Sequence, residues 1–152
     1  MHSLSLRYAT LADLDLMCAL EESSFSYDQI GRRSFRHLLQ SPTAQVYVCT
    51  DAQHIIAYAI ILTRRNSRYC RLYSMAINAT ARGKGVGSWL LTQVIEALKT
   101  QYHGMRLEVK TNNAAGLSLY YRLGFEVVDV LPDYYSDGDA GYRMQLTWQD
   151  LD

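Results

Sequence analysis

The sequence predicts an α/β (α+β) domain in which a mixed central β-sheet is flanked by helices, in the order βααβββαβαββ. Three observations lead to this prediction. A strand pattern passes to a helical pattern early in the chain, three β-rich runs follow with short polar joints between them, and strands and helices alternate in the last third. The 152 residues suit one core, so we expect a single domain over residues 1–152.

The first half of the chain predicts one strand, two helices and an antiparallel meander. LSLRYA alternates as a strand should, and Thr10 followed by Asp13 is an N-cap for a helix with a broad apolar face. A second, shorter helix is expected from Arg32 to Leu39, before SPT ends it. Three strands follow, in AQVYVCT, HIIAYAIILTRR and YCRLYSMAIN.

The second half predicts two helices that alternate with three strands. Apolar residues recur at helical spacing from Val86 to Leu98, after which MRLEVK returns to a strand pattern. NAAGLSLYYRLGF is expected to be a short amphipathic helix closed by Gly124 as its C′ residue. FEVVDVL and YRMQLTW then predict the last two strands.

Composition argues against several classes of protein. Fifteen Lys plus Arg balance fifteen Asp plus Glu, and 49% of residues are hydrophobic, so neither disorder nor an electrostatic hold on nucleic acid is indicated. No window approaches a membrane span and the first residues do not resemble a signal peptide, so we expect a cytoplasmic protein with no membrane partner. Cys18, Cys49 and Cys70 are far apart in apolar surroundings and the four histidines lack ligand spacing, so core thiols and no metal are expected.

A glycine-rich turn, RGKGVG, separates the strand pattern YSMAIN from the helix that follows it. The first N–H groups of a helix lack intrahelical partners, and together with the positive end of the helix dipole they bind phosphate. Gly83, Gly85 and Gly87 permit close approach, while Arg82 and Lys84 add positive charge. The spacing fits neither a P-loop nor a Rossmann turn. The residues alone leave open whether the turn binds phosphate or only serves backbone geometry.

RGKGVG, followed about twenty-five residues later by NNAAGLSLYYRLGF, resembles the two main acyl-CoA motifs of the GNAT N-acetyltransferase superfamily. The resemblance covers nearly the whole chain. It implies the GNAT fold, acetyl-CoA as cosubstrate, and a glycine turn that holds the coenzyme's pyrophosphate. The residues that it implies for coenzyme binding are Met75, Ala76, Ile77, Arg82, Gly83, Lys84, Gly85, Val86, Gly87, Ser88, Asn113 and Tyr120.

The segment from RLEVK to GYRMQL is similar to ribosomal-protein-alanine N-acetyltransferases and related protein N-terminal acetyltransferases. This similarity implies that Glu108 is the general base, that Tyr120 is the general acid, and that Tyr134 and Tyr135 form part of the wall around the incoming peptide.

LEESSFSYDQIGRRSFRHLL also resembles a bacterial group of such enzymes, in which this loop lines the acceptor groove. We therefore assign Glu21 and Phe25 to acceptor binding, although a Glu21–Glu22 pair at a helix end is more often solvated.

The chemistry of acetyl transfer to an amine accounts for these residue types. The reaction needs a neutral amine, a stabilised oxyanion and a proton for the leaving thiolate. About a tenth of an α-amine is neutral at pH 7, so a carboxylate such as Glu108 has a modest task. The alternative for Glu108 is a structural ion pair with Lys110, two residues along the same strand face. Tyr120 and its neighbour Tyr121 point about 100° apart on a helix, so only one of them faces the sulfur.

The leading hypothesis is an acetyl-CoA-dependent N-acetyltransferase that acts, as a monomer or homodimer, on the N-terminal α-amine of a protein or peptide. Backbone N–H groups near Met75–Ile77 would stabilise the oxyanion if that strand diverges from its neighbour. Acetylation of lysine or of a small-molecule amine is the alternative within this enzyme class. A non-catalytic acyl-CoA sensor or partner subunit is the alternative from another class. Nucleic-acid binding would rest on GRRSFRH and RRNSRYCR alone, which are short, and the net charge is zero.

Overall fold

The computed structural model describes residues 3–148 and contains the predicted elements in the predicted order. The strands are β1 (Leu4–Tyr8), β2 (Ala44–Asp51), β3 (His54–Leu62), β4 (Tyr69–Ile77), β5 (Gly104–Lys110), β6 (Glu126–Leu131) and β7 (Gly141–Thr147). The helices are α1 (Leu14–Ser24), α2 (Arg32–Gln40), α3 (Val86–Leu98) and α4 (Ala114–Arg122). The fold class is therefore confirmed. His2, one of the four histidines considered above, lies outside the described residues.

The strands form one mixed sheet in the order β1-β2-β3-β4-β5-β7-β6. The predicted antiparallel meander of β2, β3 and β4 is confirmed by their registers. Strand β3 ends at Leu62 instead of continuing to Arg65, because its partner β2 begins opposite it at Ala44. Strand β5 pairs parallel with β4 and antiparallel with β7, so α3 is the crossover that returns the chain to the sheet.

Strands β4 and β5 separate after a short paired segment. Their register covers only Tyr69–Leu72 against Gly104–Leu107. A bulge in β4 lies at the same point, because Ile60 and Ile61 of β3 face Ser74 and Leu72 and leave Tyr73 as the extra residue. Beyond Leu72 the facing edges of the two strands diverge and open a cleft in the sheet. This is the divergence that the oxyanion hypothesis requires at YSMAIN.

Both faces of the sheet are covered by helices. Alternate residues of β2 divide between two cores, with Val48 on the side of α1 and α2 and Cys49 on the side of α3. The first core is built around Phe35, and the second around Leu90. Because both faces are buried, the central strands are nearly continuous apolar runs.

Two glycines with positive φ set the ends of the helices that flank the cleft. Gly85 is the N-cap of α3 with φ of +81°. Gly124 follows α4 with φ of +99°, and its N–H donates to the Tyr121 carbonyl at 3.0 Å while the Phe125 N–H donates to the Tyr120 carbonyl at 3.0 Å. This is a Schellman motif, and it confirms Gly124 as the C′ residue.

The α3 core should dominate the stability of the fold. We expect Leu90→Ala to lower the free energy of unfolding by about 2 to 5 kcal/mol, because Leu90 is fully buried and its loss leaves a cavity. Leu16→Ala on α1 is the matched control, since Leu16 is 55% exposed and should shift the value by less than about 0.5 kcal/mol. Urea unfolding of both variants checks this expectation. Equal effects would mean that α3 does not anchor the core.

Candidate active site

A cleft of about 460 Å³ opens where β4 and β5 diverge. Its walls come from the two parted strands, the loop between α1 and α2, the loop between β6 and β7, and α4 with its N-cap. The structure brings eight of the predicted site residues to this cleft: Glu21, Phe25, Met75, Glu108, Asn113, Tyr120, Tyr134 and Tyr135.

Tyr120 projects from α4 into the cleft, whereas Tyr121 does not line it and is 53% exposed. The Tyr120 ring packs edge-on against Phe125, with centroids 5.8 Å apart. Burial raises the pKa of Tyr120 to about 12, so the phenol keeps its proton at neutral pH. Tyr120 is thus placed and protonated as a proton donor needs to be, while its role as general acid stays a prediction.

Glu108 lies on β5 with its side chain only 8% exposed, and two arginines hold it. Its Oε1 accepts hydrogen bonds from Arg71, with Nε at 2.8 Å, and its Oε2 faces the Nε of Arg143 at 3.3 Å. The alternative that Glu108 takes part in a structural ion pair is therefore confirmed, but Lys110 is wrong as its partner, because Arg71 and Arg143 take that place. Arg143 sits directly opposite Glu108 in the β5–β7 register, and such cross-strand pairs are closer than residues two apart along one strand.

Lys110 instead joins the two loops that border the cleft. Its Nζ bonds to the Asp137 carboxylate and, at 3.1 Å, to the Asp139 carboxylate, both in the β6–β7 loop. The same ammonium lies 3.6 Å from the ring centroid of Tyr27 in the α1–α2 loop. The Tyr27 ring also meets the Tyr135 ring edge-on at 5.4 Å. We call Lys110, Tyr27, Asp137 and Asp139 the Lys110 clip.

Glu21 is almost completely buried, at 2% exposure, although it lines the cleft. Its carboxylate accepts hydrogen bonds from the Tyr58 hydroxyl, from the Ser74 hydroxyl at 3.3 Å and from the Ile30 N–H at 2.8 Å. Glu22, beside it, is exposed. The two acids at the end of α1 are therefore in opposite environments, and only the first contributes to the cleft.

The glycine turn lies at the start of α3, outside the set of cleft-lining residues. Gly83 and Gly85 have φ of +75° and +81°, and the Trp89 N–H makes a hydrogen bond to the Gly85 carbonyl at 3.0 Å. The amides of Gly87 and Ser88 precede this bond, in the first turn where N–H groups lack helical acceptors. Lys84 is exposed beside them. The turn thus has the backbone geometry of an anion site.

Three of the residues predicted to bind the coenzyme make contacts within the protein. Arg82 donates from Nε to the Ile77 carbonyl at 3.1 Å and from Nη2 to the Ser24 hydroxyl at 3.2 Å, so it ties the turn to β4 and α1. Ala76 is buried in the core under α1 and α2, and Val86 is buried in the core on the other face.

The side-chain oxygen of Asn113 accepts the Gly116 N–H at 3.0 Å and so caps α4. Coenzyme binding by Ala76, Val86 and Asn113 stays a prediction, and the burial of the first two limits any such contact to their backbone groups.

Several cleft residues were not predicted from the sequence. Arg71, Tyr27 and Ser74 line the cleft, and Tyr58 lies behind it, yet none was named as a site residue. Tyr27 and Ser74 do lie in the segments LEESSFSYDQIGRRSFRHLL and YSMAIN, which point to this region without singling them out. Their positions follow from strand register and loop packing, which local sequence patterns do not encode.

Residues 3–148 contain no group of three or more His, Cys, Asp or Glu side chains that could hold a metal ion. No helix in the same residues is long and apolar enough to cross a membrane.

The three cysteines are buried thiols whose pKa values are raised by desolvation, to about 12 for Cys70 and about 11 for Cys49, with Cys18 shifted in the same direction. We expect iodoacetamide at pH 8 to leave the native protein unmodified by mass spectrometry, because the reactive thiolate is scarce and inaccessible. The same reagent in urea should add three groups. Rapid labelling of the native protein would contradict this assignment and reopen the question of a cysteine nucleophile.

Comparisons with known proteins agree with this geometry. The acetyltransferase (GNAT) family matches residues 11–125 of the chain. The catalytic subunit of the N-terminal acetyltransferase A complex of Arabidopsis thaliana is 30% identical over 92% of the chain and 76% of that protein. An N-alpha-acetyltransferase of Sulfurisphaera tokodaii is 38% identical over 47% of the chain, and the match spans 44% of that protein's own length.

Solved structures show the same fold. The crystal structure of a ribosomal-protein alanine N-acetyltransferase from Escherichia coli superposes with a TM-score of 0.88, covering 99% of this chain and 97% of the other. Its sequence is 23% identical, so this likeness concerns the fold.

Proposed function

The chain belongs to the acetyltransferase (GNAT) family, and we propose that it is an enzyme that moves an acetyl group from acetyl-CoA to the N-terminal α-amine of a protein or peptide. The names of its relatives support this acceptor class, because several act on N-termini. We also propose that residues 1–152 form a single domain. We expect this domain to act in the cytoplasm. Buried, unpaired thiols are typical of that reducing compartment.

The observation that carries the proposal is the convergence of three groups on the cleft between the parted strands. A protonated phenol, Tyr120, enters from α4, and two buried carboxylates, Glu21 and Glu108, line the same cleft. Acetyl transfer to an amine needs a proton donor for the sulfur and a negative group for the incoming amine. The cleft provides both in one space.

The chain would hold acetyl-CoA along two features. The amides of the glycine turn, with the positive end of α3, bind the pyrophosphate. The unpaired edge of β4 around Met75 offers N–H groups to the pantetheine arm and to the thioester oxygen as it becomes negative. Asn113 adds its amide from the start of α4.

Two side chains then handle the protons. Glu108, directly or through a water, takes a proton from the attacking amine, while Arg71 and Arg143 fix the direction of its oxygens. As the tetrahedral intermediate collapses, Tyr120 gives its proton to the departing sulfur, which leaves as a thiol, and the phenolate takes the remaining excess proton from the acylated nitrogen. The proton on Glu108 passes to solvent. The acceptor lies against Phe25, Tyr134 and Tyr135.

The test is free-thiol release from acetyl-CoA in the presence of paired peptides. One peptide has a blocked lysine and a free α-amine, and the other has the reverse. Release only with the free α-amine supports N-terminal acetylation. Release only with the free lysine would replace this proposal with side-chain acetylation, and release only with small amines would assign a small-molecule acceptor.

A further inference from the structure

Glu21 is the one cleft-lining carboxylate, within residues 3–148, that is buried and has no cationic partner. Glu108 has two arginines, and Asp28 is exposed and accepts the Ser136 N–H at 3.2 Å. Each hydrogen-bond donor to Glu21 is neutral: the hydroxyls of Tyr58 and Ser74 and the N–H of Ile30. Buried charges in proteins are paired as a rule, because an isolated one costs several kcal/mol.

Both oxygens of Glu21 act as hydrogen-bond acceptors, Oε1 to two hydroxyls and Oε2 to the Ile30 N–H. Acceptor-only bonding is that of a carboxylate. Burial and the bond to Glu21 raise the pKa of Tyr58, so this phenol keeps its proton and donates it. The carboxylate therefore brings a negative charge to the cleft wall that no side chain in the described part of the chain neutralises.

The hydrogen bonds leave one acceptor site of the Glu21 carboxylate unused. An ionised carboxylate offers about four acceptor sites, two on each oxygen. Oε1 uses both of its sites for Tyr58 and Ser74, whereas Oε2 uses one site for Ile30. One acceptor site thus remains on Oε2, and Glu21 borders the cleft.

We propose that Glu21 is the docking site for the protonated amine of the acceptor, with Oε2 accepting one of its N–H bonds. This inference rests on the proposed function for the acceptor's identity. An α-amine is about nine-tenths protonated at pH 7, so the form that arrives is a cation with three donors. Docking brings the missing positive charge to Glu21 and selects amines over alcohols and blocked N-termini. The proton must then leave before the nitrogen attacks, which is the task assigned to Glu108.

The test is a binding measurement that involves no acetyl transfer. The probes are a hexapeptide that begins with alanine and an analogue in which lactic acid replaces the alanine, so that a hydroxyl stands in place of the ammonium. Calorimetry in the presence of CoA gives the ratio of the two affinities for each variant. We expect the wild-type protein to favour the ammonium peptide by roughly ten- to a hundredfold, the range for a hydrogen bond between charged groups.

The variants separate charge from structure. Glu21→Gln should bring the ratio close to one, whereas Glu22→Gln, the same change on the exposed neighbour, should leave it at the wild-type value. Tyr58→Phe removes a donor and keeps the charge, so the preference should persist. A wild-type ratio near one, or a ratio unaffected by Glu21→Gln, would overturn the proposal. Should Glu21→Gln fail to fold, loss of the preference in a folded Tyr58→Phe would overturn it as well.

The two proposals fail in different ways. If the protein acetylates N-termini but the ratio of the two peptide affinities does not depend on Glu21, only the docking-site proposal is wrong. If the preference for the ammonium peptide depends on Glu21 but the protein acetylates no N-terminus, the docking site stands and the proposed acceptor is wrong.

Discussion

We expect Tyr120→Phe to lower the rate of acetyl transfer by roughly ten- to ten-thousandfold, the range for loss of a general acid, and to leave the affinity for acetyl-CoA nearly unchanged. The reason lies in the pKa of about 12, which keeps the phenol protonated and ready to donate. Phenylalanine retains the ring and its contact with Phe125, so helix α4 should keep its place. Only the proton for the departing sulfur is lost.

Stopped-flow or steady-state thiol release, with acetyl-CoA affinity measured separately, checks this expectation. Tyr121→Phe is the matched control, because that hydroxyl is on the adjacent residue and its side chain is 53% exposed. The control should behave as the wild type. Unaltered turnover in Tyr120→Phe would exclude the phenol from the proton transfer.

We expect Gly85→Asp to abolish measurable binding of acetyl-CoA, with an affinity loss of more than about a hundredfold, while the domain still folds. A carboxylate at this position faces the pyrophosphate that the turn is proposed to hold, and such like-charge contacts cost several kcal/mol. Folding should survive because a Cβ at Gly85 meets nothing within 4 Å, and aspartate is among the residues that tolerate positive φ.

Gly85→Asn separates the two effects of that substitution. Asparagine has the same shape and the same backbone strain at φ of +81°, but no charge. We expect it to bind acetyl-CoA far more tightly than the aspartate variant does, as measured by calorimetry. Equal affinities of the two variants would show that backbone strain alone matters at this turn, and retained affinity in both would remove it as the pyrophosphate site.

Local sequence patterns were sufficient to predict the elements and one structural detail at the site, and the family resemblance added a second. Gly124 is recognisable as a C′ residue because only a residue that accepts positive φ closes a helix in this way. The choice of Tyr120 over Tyr121 followed from the family register, and the structure places Tyr120 in the cleft. Both features depend on neighbours within one helix.

Partners across strands were beyond the reach of those patterns. The sequence suggested Lys110 as a partner for Glu108. The sheet register instead brings Arg143 opposite Glu108, and Arg71 from β4 is the second cationic partner. Likewise, the burial of Glu21 depends on Tyr58, thirty-seven residues away. Long-range contacts of this kind are set by how strands align, a property of the whole chain.

The Lys110 clip is another contact between distant parts of the chain, and it joins the α1–α2 loop to the β6–β7 loop. The α1–α2 and β6–β7 loops are more than a hundred residues apart, as the hydrogen bond from Ser136 to Asp28 shows, yet one ammonium contacts both. Because the acceptor is proposed to lie between these loops, we expect specificity for its first residues to be a joint property of both. Swapping either loop alone between relatives should fail to transfer it.

The short pairing of β4 with β5 has a consequence for the order of folding. Backbone pairing within the sheet joins the meander β2-β3-β4 to the block of β5, β6 and β7 through Tyr69–Leu72 and Gly104–Leu107. Each block is antiparallel internally, whereas this seam is a parallel contact that needs the α3 crossover. The cleft lies on the seam, so we expect a refolding chain to regain coenzyme binding only when the two blocks have joined.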